Sequence, residues 1–330
     1  MHSYSNITDK EQETQRQHRQ SGSLKHKHQQ RPSKKAKKQK KKDKKTKTKT
    51  KTMTFFHTNP SVNFLFLISL ILSSHLYNIS ADDSEVEDES KFTYHEDTGK
   101  GPSKWGNIDP LWKACGNGKL QSPIDLLNRR VQVYRSCGKL KGHYKPAQAV
   151  VKNRGHDISM AWKGDAGHIN INGTDYNLQQ CHWHSPSEHT FNGSRFDLEL
   201  HVVHQNPSTN KIAVVGAVYK YGRPDPMLTK LLHHIKSVGK EEIDLGMMNP
   251  RAINFESTGY YRYIGSLTVP PCTEGVTWTI IKKVMTVSRE QVAALRGAVH
   301  DGFESNSRPT QELGEREVRF YTEKKNVGSN

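Results

Sequence analysis

The sequence predicts a mainly β protein, with one folded domain of about 230–240 residues over 92–322 and a few short helices. Several segments are rich in β-branched and aromatic residues and alternate in polarity, among them "FDLELHVVH", "KIAVVGAVYKY" and "VTWTIIKKVMTV". Asn172-Gly173 joins two short alternating runs and is the strongest two-residue signal of a β-hairpin. Strands and helices do not alternate along the chain, so a parallel α/β sheet is not expected.

Two peripheral helices carry recognisable start signals. Asp225-Pro226 begins one of them, and the leucines and isoleucine that follow recur on a single face. Ser288 and Gln291 have the spacing of a capping box ahead of a second amphipathic run. We therefore expect a short helix at each place, packed against the sheet by its apolar side.

Residues 1–52 form a basic low-complexity segment that differs in composition from the rest of the chain. They carry 18 Lys and Arg against 4 Asp and Glu, so +14 of the formal charge of +17 lies here. Such a run cannot bury an apolar core and is predicted to be disordered. It is either a nucleic-acid-binding or nuclear-targeting tail, or a leader that the mature protein lacks. The domain itself has little excess charge, and we expect no nucleic-acid partner for it.

Residues 53–81 have the form of a secretory signal that begins at an internal methionine. Val62 to Leu72 is apolar apart from two residues, is too short to span a bilayer, and is followed by small residues with Ala81 as a cleavage position. Residues 82–91, which include "DDSEVEDES", are then an acidic linker, and 323–330 are a C-terminal tail. We expect entry into the secretory pathway, an extracellular destination and no transmembrane span.

Cysteines and glycosylation sequons fit an exported domain. Four cysteines fall within 82–330, and an oxidising compartment makes a disulfide expected, but the residues leave three pairings open. Two Asn-x-Ser/Thr sequons, at Asn172 and Asn192, lie in the same region and are predicted glycosylation sites in an exported protein. Two further sequons, at Asn6 and Asn78, precede it. The four cysteines are Cys115, Cys137, Cys181 and Cys272.

The segment "QQCHWHSPSEHT" gathers three histidines and a glutamate within a dozen positions. The i, i+2 spacing puts His182 and His184 on one face of a strand, and "DLELHVVH" adds His201 on another strand. Gln180 and Glu199 each stand two residues before a histidine, where they are placed to accept its second N–H. Three neutral imidazoles from neighbouring strands suit zinc and leave one coordination position open.

A rival interpretation takes "HWHSPSE" as the His-x-His-x3-Glu opening of a cupin barrel, in which Glu188 is itself a ligand. That pattern needs a glycine six residues before the first histidine and another seven residues after the glutamate. Those positions hold Tyr176 and Arg195. The second cupin motif does not follow either, so the three-histidine interpretation is favoured.

Five separated segments together resemble the α-type carbonic anhydrases, especially the secreted plant members. They are "WGNIDPLWKACGNGKLQSPIDL", "KNRGHDI", "QQCHWHSPSEHTFNGSRFDLELHVVH", "YIGSLTVPPCTEGVTW" and "SRPTQ", in collinear order within 92–322. The resemblance implies a single domain around a large, mostly antiparallel twisted sheet. It also implies a zinc enzyme that reversibly hydrates carbon dioxide to bicarbonate and a proton, through attack of a zinc-bound hydroxide.

The resemblance assigns roles around the metal. The Zn²⁺ ligands correspond to His182, His184 and His201. The groups that hold those ligands correspond to Gln180, Glu199 and Asn306. A catalytic pair, in which a threonine hydroxyl donates to a glutamate and thereby orients the zinc-bound hydroxide, corresponds to Thr268 and Glu188. The apolar wall that holds carbon dioxide corresponds to Val203, Val214, Leu267, Val269 and Trp278.

Proton transfer is assigned by the resemblance to His156 in "NRGHD", since an imidazole that titrates near neutrality relays protons between the zinc site and solvent. Tyr94 corresponds to an aromatic residue that orders the water chain in some members. Arg154 and Ser159 stand where the best-known members have asparagine, and the charge of Arg154 is expected to depress the pKa of His156. Val269 replaces the commonest threonine, so we expect altered turnover and anion binding.

The cysteines divide under the same resemblance. It implies a disulfide between Cys115 and Cys272, as in secreted members. Cys137 and Cys181 have no counterpart in the family pattern. Cys181 points away from the face that carries its two neighbours in the strand, so we expect it to pack in the core as a small apolar residue.

Two alternatives stay open on function and destination. The family includes members that lost zinc ligands, so the alternative function is a storage or carbohydrate-binding protein on the same scaffold; the intact histidines favour the enzyme. Some plant relatives reach the plastid through the secretory route, which is the alternative to the apoplast. The oligomeric state is left open between a monomer and a dimer.

Overall fold

The structure, a computed structural model, describes residues 85, 89–135, 140, 142–253, 255, 259–300 and 302–322. The predicted basic segment 1–52, the signal-like segment 53–81 and the tail 323–330 lie outside those ranges, as does most of the acidic linker. Cys137 also lies outside them. None of the helices within the described ranges combines the length and apolar character needed to span a bilayer.

Strands dominate the part of the chain that is described. Two of them form a small parallel pair, and thirteen form one large sheet. The strands are β1 (Asp125–Leu126), β2 (Val131–Arg135), β3 (Gly142–Tyr144), β4 (Ala147–Asn153), β5 (Ile158–Lys163), β6 (Gly167–Ile171), β7 (Thr174–His184), β8 (Thr190–Phe191), β9 (Leu198–Gln205), β10 (Ile212–Tyr221), β11 (Ile243–Met248), β12 (Gly259–Ser266), β13 (Glu274–Ile281), β14 (Met285–Val287) and β15 (Val318–Thr322).

The large sheet runs in the order β11-β4-β5-β7-β9-β10-β13-β12-β15-β2, with β3, β6 and β14 joined at its sides. Most neighbours are antiparallel; the parallel pairs are β10 with β13, β10 with β14, and β15 with β2. This architecture confirms the predicted mainly β fold around a large, mostly antiparallel sheet. The two longest strands of its centre, β7 and β10, flank β9, so β9 is covered on both edges.

The helices are short and peripheral. Asp225 caps α3 by accepting hydrogen bonds from the backbone N–H groups of Met227 and Leu228, both at 2.9 Å, and Pro226 begins the helix. Ser288 and Gln291 form the predicted capping box of α4. The helices are α1 (Trp105–Ile108), α2 (Ala114–Asn117), α3 (Pro226–Ser237) and α4 (Arg289–Ala298), with 3-10 helices at Glu89–Lys91, Glu96–Thr98, Pro110–Trp112, Asn128–Arg130 and Pro250–Ala252.

The predicted hairpin at Asn172-Gly173 connects β6 to β7. Both residues have positive φ, 51° and 83°, which asparagine tolerates and glycine adopts without strain. The turn leads β7 back along β6, with Ile171 opposite Thr174. It therefore sets the register of the strand that carries the first two histidines.

The two faces of the sheet bury different sets of side chains. On one face, alternate residues of β7, β9 and β10 pack with the apolar sides of α3 and α4 in the main core, which includes Cys181, Leu200, Val215, Leu228 and Val292. The opposite face carries a smaller apolar cluster that includes Val214, Leu267 and Trp278. Fully burying such a side chain contributes about 1.5–3 kcal/mol, so a one-residue slip of these strands would be strongly unfavourable.

Candidate metal centre

Three histidines converge on the face of the sheet opposite the main core. Strands β7 and β9 are paired antiparallel with His182 directly opposite His201, and His184 lies two residues further along β7 on the same face. The ring centroids are 5.0 Å apart for His182 and His184, 5.2 Å for His182 and His201, and 4.6 Å for His184 and His201. One nitrogen from each ring lies within 4.8 Å of the other two, and all three residues are buried. The spacing suits one small metal ion.

On β7, a hydrogen bond from one nitrogen fixes each imidazole. Nδ1 of His182 donates to Oε1 of Gln180 at 3.0 Å, and Nδ1 of His184 donates to the backbone carbonyl of Asn306 at 2.7 Å. Because each acceptor is a carbonyl oxygen, Nδ1 carries the proton and Nε2 carries the lone pair. Nε2 of His184 is buried and has no hydrogen-bond partner among the described residues. A buried imidazole nitrogen that has a lone pair but no hydrogen-bond donor is available to bind a metal ion. The residues therefore fit zinc.

Glu199 fixes the third imidazole. Its Oε1 accepts from Nε2 of His201 at 2.9 Å and from Nδ1 of His189 at 2.7 Å, while its Oε2 accepts from the backbone N–H groups of Glu188 and His189. Burial alone would raise the pKa of Glu199, but the two histidines hold it well below its usual range. Gly216 on β10 makes room for this carboxylate, since a Cβ there would lie 3.1 Å from Oε1. The bond to Glu199 leaves Nδ1 of His201 for a metal.

A second group of possible ligands, which consists of His189, Glu199 and His201, has a different character. Nε2 of His189 bonds to the hydroxyl of Tyr263 at 2.7 Å, and that hydroxyl bonds to Oγ of Ser122 at 2.8 Å. Both nitrogens of His189 are therefore occupied by protein groups. These residues form a hydrogen-bond chain that extends from Glu199 to Ser122, and sequence reasoning missed it because bonded partners lie up to 141 residues apart with no local pattern.

Glu188 lies behind two of the three imidazoles. Its Oε1 accepts from the backbone N–H of Arg308 at 2.9 Å and is 3.7 Å from Nδ1 of His184, and its Oε2 is 3.9 Å from Nε2 of His201. Oε2 is buried and lacks a hydrogen-bond partner within the described ranges. The donation from Thr268 to Glu188 that the family resemblance implies is thus not formed in this structure, although Thr268 is also buried.

An apolar row continues from the histidines across the sheet. Val203 on β9 pairs with Val214 on β10, which pairs in turn with Trp278 on β13. The Trp278 ring centroid lies 4.8 Å from that of His201. Leu267, in the loop after β12, packs in the same cluster, and Val269 two residues later is 1% exposed. Val203, Val214, Leu267 and Trp278 thus belong to one apolar cluster, which reaches the ring of His201 through Trp278.

A match to the family described as eukaryotic-type carbonic anhydrase spans residues 100–322. The chain belongs to that family. It is 59% identical over 244 residues to alpha carbonic anhydrase 4 of Arabidopsis thaliana, which covers 74% of this chain and 91% of the relative. A crystal structure of dioscorin complexed with ascorbate aligns with a TM-score of 0.68 and 42% identity, over 70% of this chain and 98% of dioscorin. The α-carbonic anhydrase of Thermovibrio ammonificans, in complex with the inhibitor sulfanilamide, aligns with a TM-score of 0.62 and 34% identity over 69% and 98% of the two chains.

Within this carbonic anhydrase domain, Asn306 holds the site in a way that its residue type did not predict. Its backbone carbonyl, not its amide, accepts from His184. The amide oxygen accepts from the backbone N–H of Ser185 at 2.8 Å, and the amide nitrogen donates to the carbonyl of His156 at 2.8 Å. One residue therefore connects the loop that bears His156 to the ligand strand.

His156, the predicted proton shuttle, is buried rather than open to solvent. Its exposure is 0%, its ring centroid lies 5.6 Å from that of Phe92, and both ring nitrogens lack a hydrogen-bond partner among the described residues. Burial is the main cause that lowers its pKa, Asp157 opposes the change, and Arg154 adds to it. The sequence prediction named Arg154 alone. Its charge acts less than expected because Asp157 pairs with it through two hydrogen bonds, at 2.7 and 2.5 Å.

Ser159 and the hydroxyl group of Tyr94, two further groups that the sequence predicts beside the shuttle, are also buried. Ser159, the second predicted departure, stands opposite His182 across β5 and β7. The hydroxyl of Tyr94 is buried without a hydrogen-bond partner in the described part of the chain, and burial raises its pKa well above the usual range. The ring packs edge-on against Trp105 and Phe303. Tyr94 thus belongs to an aromatic cluster beside the site.

A disulfide joins Cys115 to Cys272. Cys272 follows the loop that carries Thr268, and its N–H donates to the carbonyl of Val269 at 2.9 Å. Arg308 donates to the carbonyl of Cys115 at 2.9 Å through its side chain and to Glu188 through its backbone N–H, so it connects the disulfide to Glu188. Cys181 is a buried free thiol in the main core, as its pleat direction predicts, and burial raises its pKa.

Both sequons of the domain lie in exposed turns. Asn172 and Asn192 have positive φ, 51° and 50°, and each precedes a glycine. Oδ1 of Asn192 accepts from the backbone N–H of Asn128 at 2.9 Å. Glycosylation at these asparagines remains a prediction that depends on export.

Proposed function

We propose that this protein is a zinc-dependent carbonic anhydrase that interconverts carbon dioxide and bicarbonate. One observation carries the proposal: three buried imidazoles each have one nitrogen held by a protein acceptor, and one nitrogen of each ring lies within 4.8 Å of the other two. The ligands are neutral, so they would leave a bound Zn²⁺ its full double charge. When bound, zinc would supply a Lewis acid that acidifies water to near neutral pH, as is established for carbonic anhydrases themselves.

The chain's own residues would prepare the site before any substrate arrives. Gln180, the Asn306 carbonyl and Glu199 each fix the orientation and tautomer of one ligand. Val203, Val214 and Trp278 form an apolar row, and the one N–H group among their side chains, on Trp278, already donates to the carbonyl of Ser266. Such a surface binds water weakly, which suits an uncharged, apolar substrate such as carbon dioxide.

Proton handling is the second task of the site. Oε2 of Glu188 is a buried acceptor without a donor among the described residues, and the family pattern pairs it with the hydroxyl of Thr268, which is also buried. A hydroxyl proton held at Oε2 would leave the threonine oxygen as an acceptor only, which selects the orientation of a donor beside it. His156 would then carry protons between the pocket and solvent through a ring whose lone pairs are unclaimed within the described ranges.

Zinc content and carbon dioxide hydration, measured together on the purified full-length chain, test this proposal. We expect about one zinc per chain, rapid hydration in stopped-flow measurements, loss of activity on chelation and recovery with zinc but not calcium. Sulfanilamide, the inhibitor bound by the Thermovibrio ammonificans enzyme, should inhibit hydration. A chain that folds, retains zinc and fails to hydrate carbon dioxide would overturn the catalytic proposal.

A storage or carbohydrate-binding role is the second candidate, and the likeness to dioscorin favours it. The two roles differ in what they require of the three imidazoles. A storage protein needs neither their convergence nor the bonds that fix their tautomers, both of which this chain has. Metal-free, inactive protein in the same preparation would favour storage.

Export through the secretory pathway, to the apoplast or onward to the plastid, completes the proposal. The disulfide between Cys115 and Cys272 supports it, because disulfides persist in oxidising compartments. Sequencing the amino terminus of the secreted protein, together with a mobility shift on deglycosylation, tests it. A mature chain that begins near residue 82 and loses mass on deglycosylation is expected.

A further inference from the structure

Glu85, in the segment that the sequence predicts as an acidic linker, contacts the candidate metal centre. Its Oε2 accepts from Nη1 of Arg154 at 2.7 Å, and its Oε1 is 3.8 Å from Nε2 of His182. The side chains of Arg154 and Glu85 are only 7% and 10% exposed. Nothing in the composition of the acidic run distinguishes Glu85 from its acidic neighbours, so sequence reasoning missed this contact.

Arg154 is held ready for an anion by a second carboxylate. Its Nε and Nη2 donate to the two oxygens of Asp157, which is 1% exposed. Burial alone would raise the pKa of Asp157, but Arg154 and the neighbouring histidines hold it far below its usual range. The two bonds to Asp157 fix the plane of the guanidinium and leave Nη1 to donate to another anion. Glu85 is the anion that Nη1 contacts in this structure.

The position of Glu85 relative to His182 determines what its carboxylate obstructs. Nδ1 of His182 is bonded to Gln180, so Nε2, the atom that Glu85 approaches, is the nitrogen left for a metal. Its hydrogen bond to the guanidinium of Arg154 is an ion pair, which stabilises the ionised carboxylate. The side chain is therefore an anion at neutral pH.

We propose that Arg154 forms an anion-binding subsite beside the candidate metal centre, for bicarbonate and other small carboxylate-class monoanions, and that Glu85 of the same chain occupies it as an internal competitor. This inference rests on the proposed zinc function and adds a regulatory residue to it. A soluble anion then has to displace Glu85 from Arg154 before it approaches the metal. The apparent affinity for such anions is reduced by the fraction of chains in which Glu85 is in place.

Ligand binding to the zinc-loaded full-length chain tests the competition without recourse to activity. Isothermal titration would give the affinity for sulfanilamide, and titration in the presence of acetate would give the affinity for a small carboxylate. Glu85→Gln removes the charge at constant size, and Glu85→Ala removes the side chain. If Glu85 occupies the subsite in 70–90% of chains, both variants should bind acetate about three- to tenfold more tightly. Acetate affinity equal to or weaker than that of the unaltered chain would overturn the proposal.

Glu87→Gln is the matched control, because it makes the same change of charge two residues away in the same acidic run. Its acetate affinity should stay within about twofold of the parent chain if the effect belongs to the contact of Glu85 with Arg154 and not to the charge of the acidic run. An equal gain in Glu85→Gln and Glu87→Gln would show a general charge effect and would overturn the specific role of Glu85.

Arg154 is tested in the background that lacks its internal partner. In Glu85→Ala, the further change Arg154→Gln should weaken acetate binding about tenfold, because a charge-assisted bond is lost. Unchanged affinity would overturn the subsite. Should the double variant not fold, the comparison of the Glu85 and Glu87 variants still decides the competition. The zinc content of each protein distinguishes failure of the proposed function from failure of this inference. A parent chain without zinc would overturn both. Zinc-loaded Glu85 variants whose acetate affinity equals that of the parent chain would overturn the inference alone.

Discussion

His201 and His204 lie three residues apart on β9 and face opposite sides of the sheet. His201 joins the candidate metal centre, and one of its nitrogens is held by Glu199. His204 faces the main core, where Nε2 bonds to the hydroxyl of Tyr144 at 2.8 Å and Nδ1 to the carbonyl of Ala213 at 3.3 Å. Both residues are buried, so burial does not distinguish a ligand from a structural histidine. What differs between them is the number of ring nitrogens that form hydrogen bonds with other protein groups.

The same criterion separates the other buried histidines. His189 has both nitrogens bonded, like His204, and is therefore structural although it stands beside a ligand. His184 has one nitrogen bonded and one unclaimed within the described ranges. His156 has neither bonded there, which leaves its ring the freedom that proton relay requires. Hydrogen-bond occupancy thus separates the histidines with both ring nitrogens bonded from those with one bonded and from His156 with neither, in line with the structural, metal-binding and proton-carrying roles that we propose.

Substituting each histidine of β9 in turn tests most directly whether His201 binds the metal and His204 does not. His201→Ala should abolish tight zinc binding and lower carbon dioxide hydration on the order of a thousandfold or more, because the site loses one of three ligands and the metal supplies several kcal/mol of stabilisation. His204→Gln keeps a side chain able to bond to Tyr144 and should retain zinc and most of the activity. Metal analysis and stopped-flow hydration on both variants measure this.

An opposite pattern would contradict the criterion. Zinc retained in His201→Ala, or lost from a folded His204→Gln, would mean that occupancy of the ring nitrogens does not identify the ligands. Far-ultraviolet circular dichroism of each variant establishes folding before metal content is compared.

The carboxylate that holds His201 carries the next largest effect. Glu199→Gln leaves one acceptor oxygen where the carboxylate has two. If that oxygen faces the imidazoles of His201 and His189, the amide NH2 opposes the backbone N–H groups that donate to Oε2; if it faces those N–H groups, both imidazoles lose their acceptor. Zinc affinity should fall about 10- to 100-fold, as is typical of such substitutions. Gln180→Ala, which frees only His182, should fall at the lower end of that range. Competition with a fluorescent zinc chelator measures both, and equal affinity in Glu199→Gln and the unaltered chain would contradict the assigned role.

The strand pattern made much of this site predictable. Alternation in "QQCHWH" and "DLELHVVH" puts the ligands and the residues that hold two of them on one face, and it puts Cys181 in the core. The capped starts of α3 and α4 and the Asn172-Gly173 hairpin were local signals as well, and all three predictions are confirmed. Each depends on side chains a few residues apart, where strand and helix geometry fix direction.

Contacts between distant segments could not be predicted from the alternation of residues along a strand. The Asn306 carbonyl bonds to His184 across 122 residues through a backbone group, about which a residue's identity says nothing. Tyr263 reaches His189 across 74 residues, and Glu85 reaches Arg154 across 69. Only the packing of loops against the sheet brings these groups together. The burial of His156 has the same origin, because Phe92 and Asn306, which contact it, lie far along the chain from the loop between β4 and β5.

Acid stability sharpens the contrast between the two histidines of β9. Burial holds the pKa of His204 at about 3, below the ordinary 6.5, so the folded chain keeps it neutral while the unfolded chain takes up a proton below pH 6.5. Its contribution to stability is therefore complete above pH 6.5 and is lost as the pH falls toward 3. Between pH 7.5 and 5 the unaltered chain should lose about 2 kcal/mol more unfolding free energy than His204→Gln.

Urea denaturation at the two pH values measures that difference. His143, an exposed histidine on β3, supplies the control: His143→Gln should keep the pH dependence of the unaltered chain. A pH dependence shared by His204→Gln and the unaltered chain would show that His204 is not the group that takes up the proton.

The smallest effect is expected for His156, whose ring nitrogens form no hydrogen bond with the described residues. Proton relay follows the conversion of carbon dioxide, so His156→Ala should lower the maximal turnover about tenfold in weak buffer while the efficiency at low substrate stays within about twofold. Added imidazole should restore turnover, because a soluble base replaces the missing ring. Phe92→Ala, which uncovers the His156 ring, should leave turnover equal to or above that of the unaltered chain. If His156→Ala turns over normally without added base, His156 is a packing residue, and the unclaimed nitrogens of a buried imidazole do not by themselves mark a proton carrier.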